Sequence, residues 1–488
     1  MSNNPRLIVE DSPMAAHLAA KMSNQIAWTA ERGWRQWNGV YWQMIKNADA
    51  VEIVRLALLD EYNLIARDSS VSDGDRKAAT KLLGKVKAAN VLYFLEGLLH
   101  VPADQWDIDP DLLNAPNGIV DLRTGKLYEH DPRVRFTKVT GAKYNPTAHH
   151  DDWDAALEAM PSDIRAWMQT RYGQAATGYP VSDDVLPIQR GDGSNGKSTL
   201  VDAIANALGD FAVYVPEKVL LANPNEHPTD LMTLYGARLA IIEELPEGRH
   251  LPTKRLKDLV GTSRMTARLM RQDYVSWDAT HSLFVNSNYT PTVAETDHGT
   301  WRRLALINFP YRFVDPSEPL MSPKDRIGDP GLRQRMKSNK RVAEAVLAWI
   351  VEGARLWYDS DRKMPPVPWT IQEDTQNWRE EADLVMAYAR QNLTFDPDSQ
   401  VLSTELFADF EAWLTGKRRA PWTDQTFAAR FGSHELTSNN HVEKRQVVVD
   451  KSTLSRRMGI YATDSPPKRA MCWVGVRFAV TESADVAA

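Results

Sequence analysis

The sequence predicts a multidomain chain with an α/β core, a mixed α+β segment before it and a small helix-and-strand module after it. Three observations predict the core. Val185-Leu-Pro-Ile-Gln189 reads as a short buried strand, followed by a glycine-rich turn and then an apolar-faced helix from Ser198 to Leu208. Arg238-Leu-Ala-Ile-Ile-Glu243 and His281-Ser-Leu-Phe-Val-Asn286 are further apolar runs of strand length, each ending in polar residues. With 43% hydrophobic and 25% charged residues, the composition is that of a globular protein and not of a disordered one.

The 488 residues suggest about three domains. Residues 1–148 are mixed and tryptophan-rich, 149–365 carry the core, 366–399 read as a helical linker, and 400–488 form a small basic module. Met364-Pro-Pro-Val-Pro-Trp369 is a stiff joint at the second boundary. There is no apolar run long enough to span a membrane and no signal-peptide core at the amino terminus. A single cysteine, Cys472, excludes an internal disulfide and a multi-cysteine zinc site. These features lead us to expect a cytoplasmic protein without a membrane partner. The net charge of −6 excludes a uniformly basic nucleic-acid coat, although two local basic clusters remain.

The turn is Gly191-Asp-Gly-Ser-Asn-Gly-Lys-Ser198, the pattern of a phosphate-binding loop (P-loop, Walker A). Gly191, Gly193 and Gly196 let the backbone turn tightly, so that its N–H groups can surround a phosphate. The helix amino terminus favours an anion. Ser194, Asn195, Gly196, Lys197, Ser198 and Thr199 complete the nucleotide-binding stretch, with Lys197 placed to reach the β/γ-phosphates of ATP and Ser198 to ligate Mg²⁺.

Such a loop alone does not name a reaction. The run 238–243 ends in Glu243 and Glu244, and hydrolysis needs one acid for Mg²⁺ and one to polarise water. We assign Glu243 to the metal and Glu244 to catalysis, with the reverse order open. The run 281–286 leads into Asn286-Ser-Asn288. Asn288 is the choice for contacting the γ-phosphate or the attacking water, with Asn286 the alternative. Trp301-Arg302-Arg303 opens another apolar run, and either arginine suits a finger supplied to a neighbouring subunit.

This ordered set resembles a superfamily 3 helicase, and more closely the phage/plasmid primase–helicase family that includes the poxvirus-type enzymes. The matching stretches are Gly191–Thr199, Arg238–Gly248, Leu256–Asn288, Pro291 and Thr300–Phe309. Upstream, Trp37–Trp42, Leu113–Gly125, His130-Asp-Pro and Phe136-Thr-Lys look like the family's region before the ATPase. The resemblance implies an AAA+-like core, a hexameric homo-oligomer on single-stranded and forked DNA, and 3′→5′ unwinding in phage, prophage or plasmid replication. A bacterial host cytoplasm and a primase carried by another chain are the corresponding expectations, since the chain begins too late for the primase domain of many relatives. An initiator or loader that binds DNA without unwinding it is the alternative.

Residues 250–275 hold six Lys/Arg against two Asp. Arg264–Trp277 reads as a hairpin with its tip near Arg271 and Gln272; in superfamily 3 helicases a hairpin at this place enters the central channel. Lys257, Arg268, Arg271 and Gln272 are the expected DNA contacts. Residues 416–477 hold twelve Lys/Arg against five Asp/Glu. Thr404–Leu414, Asp424–Phe431 and Ser452–Met458 are predicted helices, followed by a strand from Cys472. That order suggests a winged-helix-like module with Arg456 and Arg457 on its recognition helix.

Three tempting readings are set aside. Asp107, Asp109 and Asp111 form a D-x-D pattern, but beside Pro110 they read as a turn and not as a primase metal site. Trp28, Trp34, Trp37 and Trp42 are expected in the core and not as base-stacking platforms. His149, His150 and His227 lack ligand-spaced partners, so no structural metal is expected.

Overall fold

In the computed structural model, residues 8–30, 32–221, 228–268, 274–293, 298–417, 421–457 and 466–479 are described. The amino-terminal part packs the helices Asp11–Met22, Asn47–Arg67 and Lys85–Leu98 with a three-stranded antiparallel sheet, Ile26–Thr29, Gly33–Trp37 and Trp42–Met44. Their apolar faces close one cluster that includes Leu18, Met22, Ile26, Trp34, Val54, Leu58, Val91 and Leu95. Trp34 and Trp42 are buried, while Trp28 and Trp37 are half-buried. The D-x-D segment is a turn whose carboxylates are bound within the protein. Asp107 accepts from the Thr137 N–H, Asp109 from the Asp111 N–H and Asp111 from the Tyr358 hydroxyl.

Strands Leu112–Ala115, Gly118–Asp121 and Lys126–Tyr128 form a second antiparallel sheet. Leu113, Val120, Phe136 and Tyr144 belong to the same apolar cluster as the central sheet, so the stretch around 112–144 shares its core with the central unit.

The centre begins with α1 (Asp151–Leu157) and α2 (Arg165–Ala176). It continues through β1 (Leu186–Arg190), α3 (Lys197–Leu208), β2 (Ala212–Val215) and β3 (Leu239–Glu243). A hairpin comes next, β4 (Arg264–Ala267) and β5 (Val275–Asp278), then β6 (Ser282–Ser287) and β7 (Leu304–Asn308). The helices α4 (Leu332–Ser338) and α5 (Lys340–Asp359) close the unit.

The main sheet has five parallel strands in the order β7-β1-β6-β3-β2. Both faces are covered, which is why the strands read as unbroken apolar runs and not as alternation. Leu239 and Ile241 face a cluster with α2, α3 and α5; Ala240 and Ile242 face a second cluster with Leu256, Leu259 and Trp277. Pro187 fits inside β1 because pairing with β6 begins only at Ile188. Helices α2 and α5 cross where Gly173 meets Gly353: a Cβ on Gly173 would lie 2.0 Å from the Ala354 nitrogen, and one on Gly353 2.1 Å from the Gln169 carbonyl oxygen.

The carboxyl-terminal part runs α6 (Trp369–Ala382), α7 (Leu384–Asn392), β8 (Leu393–Leu402), α8 (Ser403–Gly416), α9 (Asp424–Ser433), a short helix Glu435–Asn439, β9 (Glu443–Val448) and β10 (Arg469–Phe478). Its antiparallel sheet has the order β8-β10-β9. Phe410, Phe427, Phe431 and Trp473 fill a separate core. His434 and Asp383 form a buried pair, Nε2 to Oδ2 at 2.8 Å, that ties this module to the end of α6.

The helix predicted from Ser452 is not formed; the described part of that stretch, up to Arg457, runs as turn and extended chain. Asp450 closes a turn by accepting from the Ser452 and Leu454 N–H groups, and the chain then bridges to β8 through Ser455 N–H to the Gln400 carbonyl. Arg456 pairs with Glu405 and Arg457 with Asp409, both acids on α8 and both buried. Long-range pairing with buried carboxylates outweighs the weak helix propensity of Ser-Thr-Leu-Ser. No described helix is long and apolar enough to cross a membrane.

Candidate functional site

All five strands of the sheet point the same way, so their carboxyl ends share one edge, where open α/β sheets bind ligands. The loop 191–196 leaves β1 at that edge and enters α3. Gly193, Ser194 and Gly196 have φ of +98°, +48° and +77°, the left-handed region that folds the loop back on itself. A Cβ at Gly191 would lie 1.6 Å from Asn195 Nδ2 and would displace the Asn195 side chain from its place in the loop. Asn195 is buried; its Oδ1 accepts from the Lys197 N–H at 3.2 Å, while Nδ2 has no partner among the described residues.

Lys197 lies inside, 5% exposed, with Nζ donating to the Ser287 carbonyl at 2.7 Å and reaching Asn288 Oδ1 at 3.4 Å. Burial lowers its ammonium to about 8, against the pull of Glu244 and Asp192. Asn286 is held from beneath: Gln189 Nε2 donates to its Oδ1 at 3.0 Å and to the Tyr172 hydroxyl at 2.9 Å. Asn288 is exposed toward the cleft. The Glu244 N–H donates to the Asn286 carbonyl at 2.8 Å, and Glu244 itself has φ +57°, a strained conformation for a residue with a side chain. Desolvation, then the charges of Asp202 and Glu244, hold the Glu243 carboxyl above the ordinary glutamate range, with Lys337 and Arg333 opposing.

Gly193–Thr199, Glu243, Glu244, Asn286, Asn288 and Arg333 line a single cleft of about 600 Å³. Beside it lies an apolar chamber of about 320 Å³, walled by Ala155, Ala156, Ala159, Phe313, Val314 and Leu332. Ser194, Gly196, Thr199 and Arg333 line both. A buried cation, an amide donor without a partner among the described residues and a tight turn with left-handed glycines at 193 and 196 fit a phosphate chain, and the chamber fits a flat apolar group attached to it. Asp202 and Arg333 did not stand out in the sequence; a lone acid one turn into α3 and an Arg333/Lys337 pair four residues apart are common helix patterns.

The structure does not bring Arg302 or Arg303 to this cleft. They precede β7, whose Leu304 pairs with Leu186, so they stand at the opposite end of the sheet. Arg303 donates to the Gly299 carbonyl and to Asp184, Nη2 to Oδ2 at 3.1 Å, with 14% of its side chain exposed. Arg302 lies 3.6 Å from the same carboxylate and is 46% exposed.

The predicted hairpin is present as β4 and β5, paired from Arg264↔Asp278 to Ala267↔Val275. Arg268 leaves its end with the guanidinium 4.9 Å from the centre of the Tyr274 ring. Tyr274 is exposed, whereas Trp277 is packed edge-on against Tyr235. Arg271 and Gln272 lie outside the described residues. Lys257 is half-buried on the helix Thr253–Val260, not on the hairpin. Arg456 and Arg457 are engaged by Glu405 and Asp409, which corrects their placement on a recognition helix. His149 does have ligand-type neighbours, contrary to its sequence spacing: its Nε2 lies 2.7 Å from Asp154 Oδ2, and Asp151 joins them in an exposed cluster. His227 lies outside the described residues.

Comparison with known proteins adds to this geometry. A family model described as "D5 N terminal like" matches residues 15–162. A second, described as a family of unknown function (DUF5906), matches residues 189–303, the span from β1 to the two arginines. "Putative primase C962R" of African swine fever virus is 26% identical over 333 residues, 63% of this chain and 33% of that protein. The chain is a relative of the viral primase–helicases. "Putative helicase L207/L206" of Acanthamoeba polyphaga mimivirus is 23% identical, over 58% of this chain and 32% of its own length. "Uncoating factor OPG117" of vaccinia virus is 22% identical, over 55% and 37%. The chain thus spans about a third of the length of the curated relatives it matches. A solved structure described as the A form apo structure of the NrS-1 C terminal region aligns over 96% of this chain and 100% of that one, with a TM-score of 0.48 and 11% identity.

Proposed function

We propose that this chain is an ATP-dependent DNA helicase acting in the replication of a phage, prophage or plasmid. The observation that carries the reading is the single cleft in which a buried loop lysine, two glutamates and two strand-terminal asparagines converge from three separate strand ends. In this reading the backbone N–H groups of 193–199 and Lys197 hold the phosphates, and the apolar chamber takes the base. Ser198 and Glu243 would hold Mg²⁺, which when bound neutralises phosphate charge. Glu244 accepts a proton from the attacking water and Asn288 orients it; Asn286, tethered to Gln189, supports the strand end.

Arg302 or Arg303 is the finger for a neighbouring copy. Their position at the far end of the sheet supports action in trans, since neither can reach the cleft of its own chain. A ring, with six subunits and 3′→5′ movement, is the corresponding assembly. Arg268, with Arg271, Gln272 and Lys257, would grip the phosphates of a single strand. The order α7-β8-α8-α9, the short helix Glu435–Asn439, then β9-β10 supports the winged-helix reading, with α9 in place of 452–458 as the recognition helix. The four-part division into 1–148, 149–365, 366–399 and 400–488 is proposed with one change: the packing of Leu113, Val120, Phe136 and Tyr144 in the central cluster supports a first boundary near 112. A primase on a separate chain and the host cytoplasm complete the proposal.

The test is ATP-dependent unwinding of a forked DNA with a 3′ tail, with Glu244→Gln as control. Unwinding by the wild type alone is expected. ATP hydrolysis without strand separation overturns the helicase in favour of a loader or initiator, and no hydrolysis with single-stranded DNA and Mg²⁺ overturns the enzyme.

A further inference from the structure

Two cations on α4 have no part in the proposed reaction. Arg333 and Lys337 are four residues apart and so share one face of the helix. Both turn to one carboxylate on α3, one helical turn beyond Ser198. Asp202 Oδ2 lies 3.6 Å from Arg333 Nη2 and 3.3 Å from Lys337 Nζ, while Oδ1 accepts from the Tyr214 hydroxyl at 2.9 Å. The acid is nearly enclosed, 17% exposed, but the Arg333 side chain is 60% exposed.

The helix carrying Arg333 is anchored from elsewhere. Arg335 donates to Asp152 of α1, with Nη2 to Oδ1 at 2.7 Å, and also pairs with Asp329. Asn339, which ends α4 and caps α5, meets His150 Nε2 at 3.2 Å. The backbone of α4 is therefore held while the long Arg333 side chain can swing. Arg333 also lines both the phosphate cleft and the apolar chamber, at the seam between them. A pair at 3.6 Å whose guanidinium side chain lies mostly in solvent is a weak hold. A phosphate offers the guanidinium fork a stronger, bidentate partner.

We propose that Arg333 is a nucleotide-binding residue supplied by the same chain as the phosphate loop, and that Asp202 parks it at the seam until a triphosphate draws it across. The proposal rests on the cleft being a nucleotide site. Lys337 keeps Asp202 paired after the transfer. Asp202 thus acts as a competitor of the nucleotide for Arg333.

The experiment is an equilibrium titration of the full chain with a fluorescent N-methylanthraniloyl ATP, with thermal stability checked for each variant. Arg333→Ala is expected to weaken binding about tenfold. Asp202→Asn is expected to tighten it by about two- to fivefold, and to do so only while Arg333 is present. Wild-type affinity in Arg333→Ala, or an Asp202→Asn gain that persists in the Arg333→Ala background, overturns the proposal. Lys197→Ala separates the two levels. If it loses binding while Arg333→Ala does not, the nucleotide site stands and only the role of Arg333 falls. If the wild type binds no ATP analogue, both fall.

Discussion

The ammonium of Lys197 donates to the carbonyl oxygen of Ser287 at 2.7 Å, joining the first turn of α3 to the end of β6 across 90 residues of chain. This contact holds a buried cation against a neutral acceptor, so an arriving phosphate gains a desolvated charge already in place. Lys197→Ala is expected to weaken binding of an ATP analogue by about 10- to 100-fold, the worth of a charge-assisted hydrogen bond in a dry site, measured by equilibrium titration. Unchanged affinity would remove the loop from the site.

The same burial predicts a pH dependence. Lys197 is lowered to about 8, below its unfolded value, so the folded chain loses the proton first as pH rises. The cost of burying the charge is present below about 8 and is relieved between there and the unfolded value. Nucleotide affinity should therefore fall above about pH 8, by up to about tenfold per pH unit. Lys197→Arg should flatten the profile over pH 7–9, because a guanidinium keeps its charge across that range. A wild-type affinity that is level over that range would contradict the assignment.

The crossing of α2 and α5 leaves no space at Gly353. Gly353→Ala puts a methyl group 2.1 Å from the Gln169 carbonyl oxygen, and the backbones must separate. We expect a loss of about 1–3 kcal/mol, seen as a lower Tm. A neutral result would mean that the helices slide apart without cost.

Arg457 and Arg268 should behave differently although both are basic. Arg457→Ala leaves Asp409, 6% exposed, with Tyr388 as its other hydrogen-bond donor among the described residues, and should destabilise the carboxyl-terminal module by about 1–3 kcal/mol. Arg268→Ala should leave Tm unchanged, weaken single-stranded DNA binding and lower its salt slope by about 1. Thermal melts and salt-dependent DNA titrations check both; reversed outcomes would exchange their roles.

The arginines before β7 predict complementation. Arg302→Ala should abolish hydrolysis with little change in Tm, because its side chain is half in solvent. Arg303→Ala should also lower Tm, through its lost contact with Asp184. A mixture of Lys197→Ala and Arg302→Ala chains should regain part of the ATPase rate, since some interfaces then pair an intact loop with an intact finger. No recovery on mixing would place the arginine's effect within its own chain.

The parts legible in the sequence were those whose signal is local. A strand, a glycine turn and a helix are adjacent in the chain, so the loop 191–198 and the strand ends at Glu243 and Asn286 could be read from spacing alone. The helices of residues 403–416 and 424–433 were legible for the same reason, since amphipathic periodicity lies within each helix. Arg456 and Arg457 were misplaced because their partners, Glu405 and Asp409, are about fifty residues away and invisible to a local window.

An α/β core, the glycine-rich turn of residues 191–198 and the residue types at the strand ends are properties of the sequence, because each is encoded within a few neighbouring positions. Other relationships exist only in the folded chain: Lys197 meets Ser287, Asn286 is tethered while Asn288 is exposed, and Arg302 and Arg303 stand at the far end of the sheet. The hold of Asp202 on Arg333 beside the cleft is of the same kind. These depend on which strands lie side by side and which helices cross, and burial of apolar faces over the whole chain sets that arrangement.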